Sequence, residues 1–185
     1  MIIRSLFYSA LDTLTYNGLP HIEVVLGDQG DFSASLLEVV QLIDRTAAEQ
    51  QMKVLVVAID GRVPDERDPD EILQFVQVLR RKGYAVIGKT SGTVFPRWLP
   101  ECSFTQVMIT NDPWLGYECT ELQYIPPNDG PLEEPSIGAA GKAVRSLYIP
   151  VKRDPAEVFG FLQRAKLSWQ LVVPPKQFYA INILR

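Results

Sequence analysis

Residues 83–90 read Gly-Tyr-Ala-Val-Ile-Gly-Lys-Thr and match the phosphate-binding pattern G-x-x-x-x-G-K-[ST] letter for letter. That chemistry needs a loop between a strand and a helix, with backbone N–H groups wrapped around a phosphate and Lys89 reaching its oxygens. Other residues also invite a chemical reading. Asp60 closes an apolar run, followed by Gly61 and Arg62; Thr90, Ser91 and Gly92 close another, and Asn111 and Asp112 a third. Carboxylates, hydroxyls and amides at such places contact ligands in α/β proteins, so these eight are candidate small-ligand contacts, with Asp60 or Asp112 a candidate general base. Their alternative duties are loop geometry, helix capping and, for Arg62, pairing with Asp65 or Glu66. His21 is the only histidine, so any Ser–His–Asp triad or histidine metal site must use it, yet it opens a strand after Pro20 and reads as a strand-edge residue. The acidic run 65–71 lacks the ligand spacing and the glycine of a calcium loop, and is better read as capping and solvation.

The elements around these residues decide between readings. KVLVVAI (53–59) is a continuous apolar, β-branched strand of the kind covered on both faces. Asp68 is a candidate N-cap, Pro69 fits the first helical position, and Glu71 completes a capping box. Ile72, Phe75, Val76 and Leu79 form the apolar stripe of that helix, Arg80, Arg81 and Lys82 suit its C-terminal end, and Gly83 supplies the C′ residue. Gly83 is thus a helix terminator, and Tyr84 to Ile87 is the next strand. No helix signal follows Thr90, so the nucleotide pattern is a by-product of a βαβ unit.

The same logic extends along the chain. Ser35-Leu-Leu-Glu38 is a capping box opening a helix to about Gln50, with Leu36, Val39, Val40 and Ile43 inward. Asp154-Pro155-Ala-Glu157 opens another, with Val158, Phe161, Leu162 and Ala165 inward. Strands are expected at 21–27, 104–110, 121–125, 146–150, 169–173 and 178–184, and a loop at 126–141, rich in Pro and Gly. Strand–helix–strand order with short links predicts a mostly parallel sheet with right-handed crossovers, either an incomplete (β/α) barrel or an open doubly wound sheet. Several links between the late strands carry no helix.

A length of 185 residues suits one domain, 1–185, and 46% hydrophobic content is enough for a core. The net charge of −4 speaks against a nucleic-acid surface. Cys102 and Cys119 form neither a disulfide framework nor a CxxC pair, and read as reduced thiols of a cytoplasmic protein. The opening MIIRSLFYSALD is apolar over too short a stretch for a signal peptide, and no apolar run reaches the ~18 residues of a membrane span. Phe95, Trp98, Trp114 and Tyr117 fall near prolines in or beside loops, a composition common at protein interfaces; they are expected to contact a protein partner or a second copy, the alternative being that they lid the thin side of a barrel.

Four stretches resemble the 7-carboxy-7-deazaguanine synthases, small radical SAM enzymes. LFYSALDTLTYNGLPHIEVVL (6–26) is similar to that family's opening, and VLVVAIDGRVP (54–64) with EILQFVQVLRRKGYAVIGKTSGT (71–93) to its strand, GGEP loop, helix and ETSGT strand. CTELQYIPP (119–127) and SWQLVVPPKQFYAINILR (168–185) resemble its later strand and its end. The resemblance touches nearly the whole length and implies an incomplete parallel barrel. The departures fall on the chemistry. The family's CxxxCxxC, whose thiolates hold a [4Fe–4S] cluster, should follow HIEVVLG, but Gly27-Asp-Gln-Gly-Asp-Phe32 leads almost directly to Ser35, without a cysteine. With that loop goes the threonine that helps bind magnesium. GGEP becomes Asp60-Gly61-Arg62-Val63-Pro64, QGEG becomes Leu11-Asp12-Thr13-Leu14, and the terminal histidine becomes Pro175; TSGT (90–93) alone stands intact. The resemblance therefore implies a pseudoenzyme with no iron–sulfur cluster and no cofactor, acting as an interaction or assembly subunit. Two alternatives remain open: a regulator keeping part of a SAM, deazaguanine or pterin site, and an enzyme of another class using strand-end carboxylates.

Overall fold

The computed structural model describes residues 1–9, 20–27, 32–61, 69–109, 119–124, 144–150, 154–164, 168–172 and 178–184. The fold is mixed α/β. Its strands are β1 (Ile2–Ser9), β2 (His21–Leu26), β3 (Phe32–Ser33), β4 (Val56–Asp60), β5 (Ala85–Thr90), β6 (Phe104–Ile109), β7 (Cys119–Tyr124), β8 (Val144–Pro150), β9 (Ser168–Val172) and β10 (Phe178–Leu184). The helices are α1 (Leu36–Glu49), α2 (Pro69–Arg81) and α3 (Pro155–Arg164), with a 3-10 turn at Leu99–Glu101.

The chain divides into two compact units: Met1–Thr90 with Pro96–Thr105, and Ser91–Phe95 with Gln106–Arg185. In the first, the strands lie in the order β3-β1-β2-β4-β5. β2, β4 and β5 run parallel, as the alternation of strands and helices predicts. β1 and β3 are antiparallel additions at one edge. In the second unit the order is β6-β7-β8-β10-β9. β6, β7 and β8 are parallel, and β10 and β9 antiparallel. The sheet is mostly parallel, as expected, with antiparallel strands at one end of each unit's order: β3 and β1 in the first, β10 and β9 in the second. The physical reason is connection length: antiparallel neighbours need no helical crossover, and the late strands with thin helical cover are among those that pair this way.

The helix-start devices act as read. Ser35 caps α1: its Oγ accepts from the Glu38 N–H at 3.3 Å while the Glu38 carboxylate accepts from the Ser35 N–H at 2.8 Å. The Ser35 hydroxyl also donates to the Glu38 carboxylate at 2.7 Å, and this bond together with the one from the Ser35 N–H holds the Glu38 carboxyl below its ordinary value. Val39, Val40, Ile43 and Ala47 of α1 are buried, as are Ile72, Phe75, Val76 and Leu79 of α2. Pro69 is the first residue of α2, and Gly83 follows it with φ +89°. The Tyr84 hydroxyl donates to Asp44 Oδ1 at 2.9 Å and Lys82 pairs with Asp44 Oδ2 at 3.0 Å, tying the end of α2 to α1. Burial and the Asp44 carboxylate push the Tyr84 phenol up to about 12. Asp68 and Ala165 lie outside the described residues. β4 begins three residues later than the apolar run and takes in Asp60. β1 and β3 have no counterpart among the strands expected from sequence. Among the described residues no helix is long and apolar enough to cross a membrane.

Candidate functional site

Side chains alternate across a strand, so the registers place residues on faces. Glu23 lies opposite Ala58, and Ala58 opposite Ile87. His21, Glu23, Ala58, Asp60, Ile87 and Lys89 therefore share one face of β2-β4-β5. Its lower half on β4 and β5 is apolar, where Val56, Ala58 and Ile87 pack together with Ala85. Its upper half turns polar at Asp60 and Lys89, at the C-terminal ends where parallel sheets receive ligands.

The polar half is buried and self-paired. Lys89 Nζ reaches back to Glu23, at 2.8 Å from Oε1 and 2.7 Å from Oε2. His21 Nε2 lies 3.0 Å from Glu23 Oε2. That carboxylate already accepts both bonds from Lys89, so the His21 nitrogen facing it carries the proton and donates. His21, Glu23 and Lys89 are at most 7% exposed. Burial alone would push the Glu23 carboxyl up. The His21 hydrogen bond and the Lys89 charge overcome it and hold the group below its ordinary value. A carboxylate so compensated serves as a fixed acceptor and an anchor for two donors.

This arrangement disposes of the phosphate loop. Residues 85–90 are strand, Gly83 is a helix terminator, and the Lys89 ammonium is engaged inside the sheet. His21 opens β2, as read, and because β2 lies between β1 and β4 it is buried, at 1% exposure. The His21–Glu23–Lys89 cluster escaped the sequence reading. Its signal was present: a Glu inside HIEVVL and a Lys inside AVIGKT, each a charge within an otherwise apolar strand.

The remaining candidates separate. Asp60 and Thr90 are buried at 3% and 2%, on opposite faces of the sheet. Ser91 Oγ lies 2.8 Å from Thr93 Oγ1 and Gly92 has φ +83°, the geometry of a turn. Arg62, Asn111, Asp112, Trp114 and Tyr117 lie outside the described residues. Phe95 is exposed.

Trp98 is corrected outright: at 1% exposure it is core. The 3-10 turn rolls Trp98 and Leu99 inward, and the indole lies across the backbone of β4 and β5, where there is no side chain to displace it. A Cβ on Gly61 would come 2.8 Å from Trp98 Cζ2, and one on Gly88 2.9 Å from Cζ3. A buried ring presents no surface to a protein partner. Elsewhere in the first unit, a shallow depression of about 420 Å³ is lined by Gln77, Arg80, Arg81 and Glu101, where the half-exposed Arg80–Glu101 pair at 3.2 Å adds little stability.

The donor set does not fit an iron–sulfur cluster. Residues 27–34, between β2 and α1, contain no cysteine. Cys102 Sγ donates to the Trp98 carbonyl at 3.7 Å, and burial pushes its thiol up to about 12, which disfavours the thiolate a metal needs. Cys119 is buried in β7 of the other unit. Among the described residues no group of three His, Cys, Asp or Glu is placed to hold a metal ion. Within the second unit, Gln106 Nε2 and Glu121 Oε2 face each other across β6 and β7 at 3.4 Å, both residues buried. Comparison with protein-family models, with curated proteins and with solved structures finds no match to this chain.

Proposed function

We propose that this chain is a radical SAM-like α/β domain from which the cluster chemistry has been lost, and that it works by protein contact. One observation carries the reading. In the stretch between β2 and α1, where the resembled family holds its cysteine loop, the chain builds the short strand β3 against β1. β3 ends the strand order of its unit, and edge strands present backbone donors and acceptors to a further chain. It bears Phe32, 71% exposed, and α1 follows with Leu37, 64% exposed. Large apolar side chains held in water on an edge strand and the adjoining helix mark a contact surface.

The test uses the full chain and a Phe32→Asp, Leu37→Asp variant. Affinity capture with mass spectrometry and sedimentation velocity read partner binding and self-association. The expected result is association that the variant loses while its thermal unfolding is unchanged. Association that survives the variant, or anaerobic reconstitution giving stoichiometric iron and sulfide that vanish in Cys102→Ser, Cys119→Ser, overturns the reading. A second reading, a regulator that keeps a small-ligand site, draws support from Asp60, the last residue of β4. Retained affinity for SAM or a deazaguanine separates it from the first.

A further inference from the structure

Among the described residues, one buried side-chain polar atom has no hydrogen-bond partner: Nε1 of Trp98. Buried donors are rarely left unanswered, because the group has given up its water for nothing. A phenyl ring could cover the same backbone without that cost. The indole is also held in a defined pose. Its Cζ2 lies against Gly61 and its Cζ3 against Gly88, each too close to admit a Cβ. In an indole, Cζ2 neighbours the carbon that carries Nε1, so the nitrogen lies on the Gly61 side of the ring, just past the last residue of β4. That is the strand end at which parallel α/β sheets receive ligands.

Two backbone carbonyls near the ring already accept from other donors. The Lys89 carbonyl takes the Gly61 N–H at 3.0 Å, and the Trp98 carbonyl takes the Glu101 N–H at 3.1 Å. Leu99 Cδ1 and Cys102 Sγ crowd the same position on Gly88 as the ring, Leu99 is 1% exposed, and the burial that pushes the Cys102 thiol up to about 12 penalises an anion beside it. We propose that Trp98 Nε1 is the fixed donor of a binding site, at the C-terminal end of β4, for a small molecule bearing a neutral hydrogen-bond acceptor such as a carbonyl oxygen or a ring nitrogen. The site lies on the sheet face opposite the His21–Glu23–Lys89 cluster and stands independently of the protein-contact reading.

The test is by NMR on the full chain, labelled at the indole nitrogens of Trp98, Trp114 and Trp169. Trp114→Phe and Trp169→Phe assign the signals while leaving Trp98 in place. Acetamide and pyridine are titrated as neutral acceptors, with sodium acetate as the charged control. The expected result is a saturable downfield shift of the Trp98 indole proton with a neutral probe, no shift with acetate, and the other two indoles unmoved. No shift with either neutral probe overturns the proposal. So does an equal response to acetate, or a non-saturating drift of all three signals together.

Discussion

Replacing Lys89 with methionine keeps the length of the side chain and removes its charge from the Glu23 carboxylate. Both oxygens of Glu23 accept from Lys89, at 2.8 and 2.7 Å, and the two side chains are 5% and 9% exposed. Were this pair on the surface, its loss would cost at most about 1 kcal/mol. Buried as it is, the loss leaves a carboxylate with His21 alone for company, and breaking such a pair from one side costs about 3–5 kcal/mol. Removing both charges should be far milder, since a buried ion pair contributes little net stability against packed uncharged groups. Urea unfolding followed by circular dichroism at neutral pH should therefore show a large loss for Lys89→Met and recovery of most of it in Lys89→Met, Glu23→Gln. The sign with pH follows from the lowered Glu23 value. A carboxyl with a depressed folded-state pKa contributes stability that is present above its ordinary value of 4.5 and lost as pH falls through the lower one. The gap between wild type and Glu23→Gln should accordingly shrink below pH 4.5. A Lys89→Met loss under about 1 kcal/mol, or a double variant no better than the single, would refute the buried-pair reasoning.

Gly88→Ala should destabilise by about 1–3 kcal/mol in the same assay, because its Cβ meets Leu99 Cδ1 at 2.7 Å and both Cys102 Sγ and Trp98 Cζ3 at 2.9 Å. Trp98→Ala should cost about 3–5 kcal/mol and leave association untouched, the reverse of what an interface residue would do. ATP or GTP with magnesium should bind no tighter than about 100 μM by calorimetry, and Lys89→Ala should change nothing in that titration, since Lys89 is a strand residue paired with Glu23. The Cys102 thiol, pushed up to about 12, should react with a disulfide reagent at pH 8 far more slowly than a free thiol, and reach the ordinary rate once urea unfolds the chain.

The local elements were legible from the residues alone wherever a short-range rule decides them. Ser35 and Glu38 announce the start of α1 by hydrogen bonds within one turn, and Pro69 and Gly83 bracket α2 by their own backbone preferences. The same short-range logic, in which Gly83 ends a helix, settled that GYAVIGKT is no phosphate loop. The mixed α/β class followed from the alternation of these elements. Three things were decided only in tertiary structure. β1 and the two-residue β3 exist through pairing with each other and with β2, so a rule based on runs of apolar residues passes over them. Trp98 sits in an aromatic–proline stretch that suits a surface or a core equally; the bare backbone at Gly61 and Gly88, distant in sequence, draws it inside. Glu23 and Lys89 are separated by 66 positions, and each alone is a charge in an apolar strand. Registering β2 with β4 and β4 with β5 brings them onto one face, and only there does burial make each one's charge the condition for the other's.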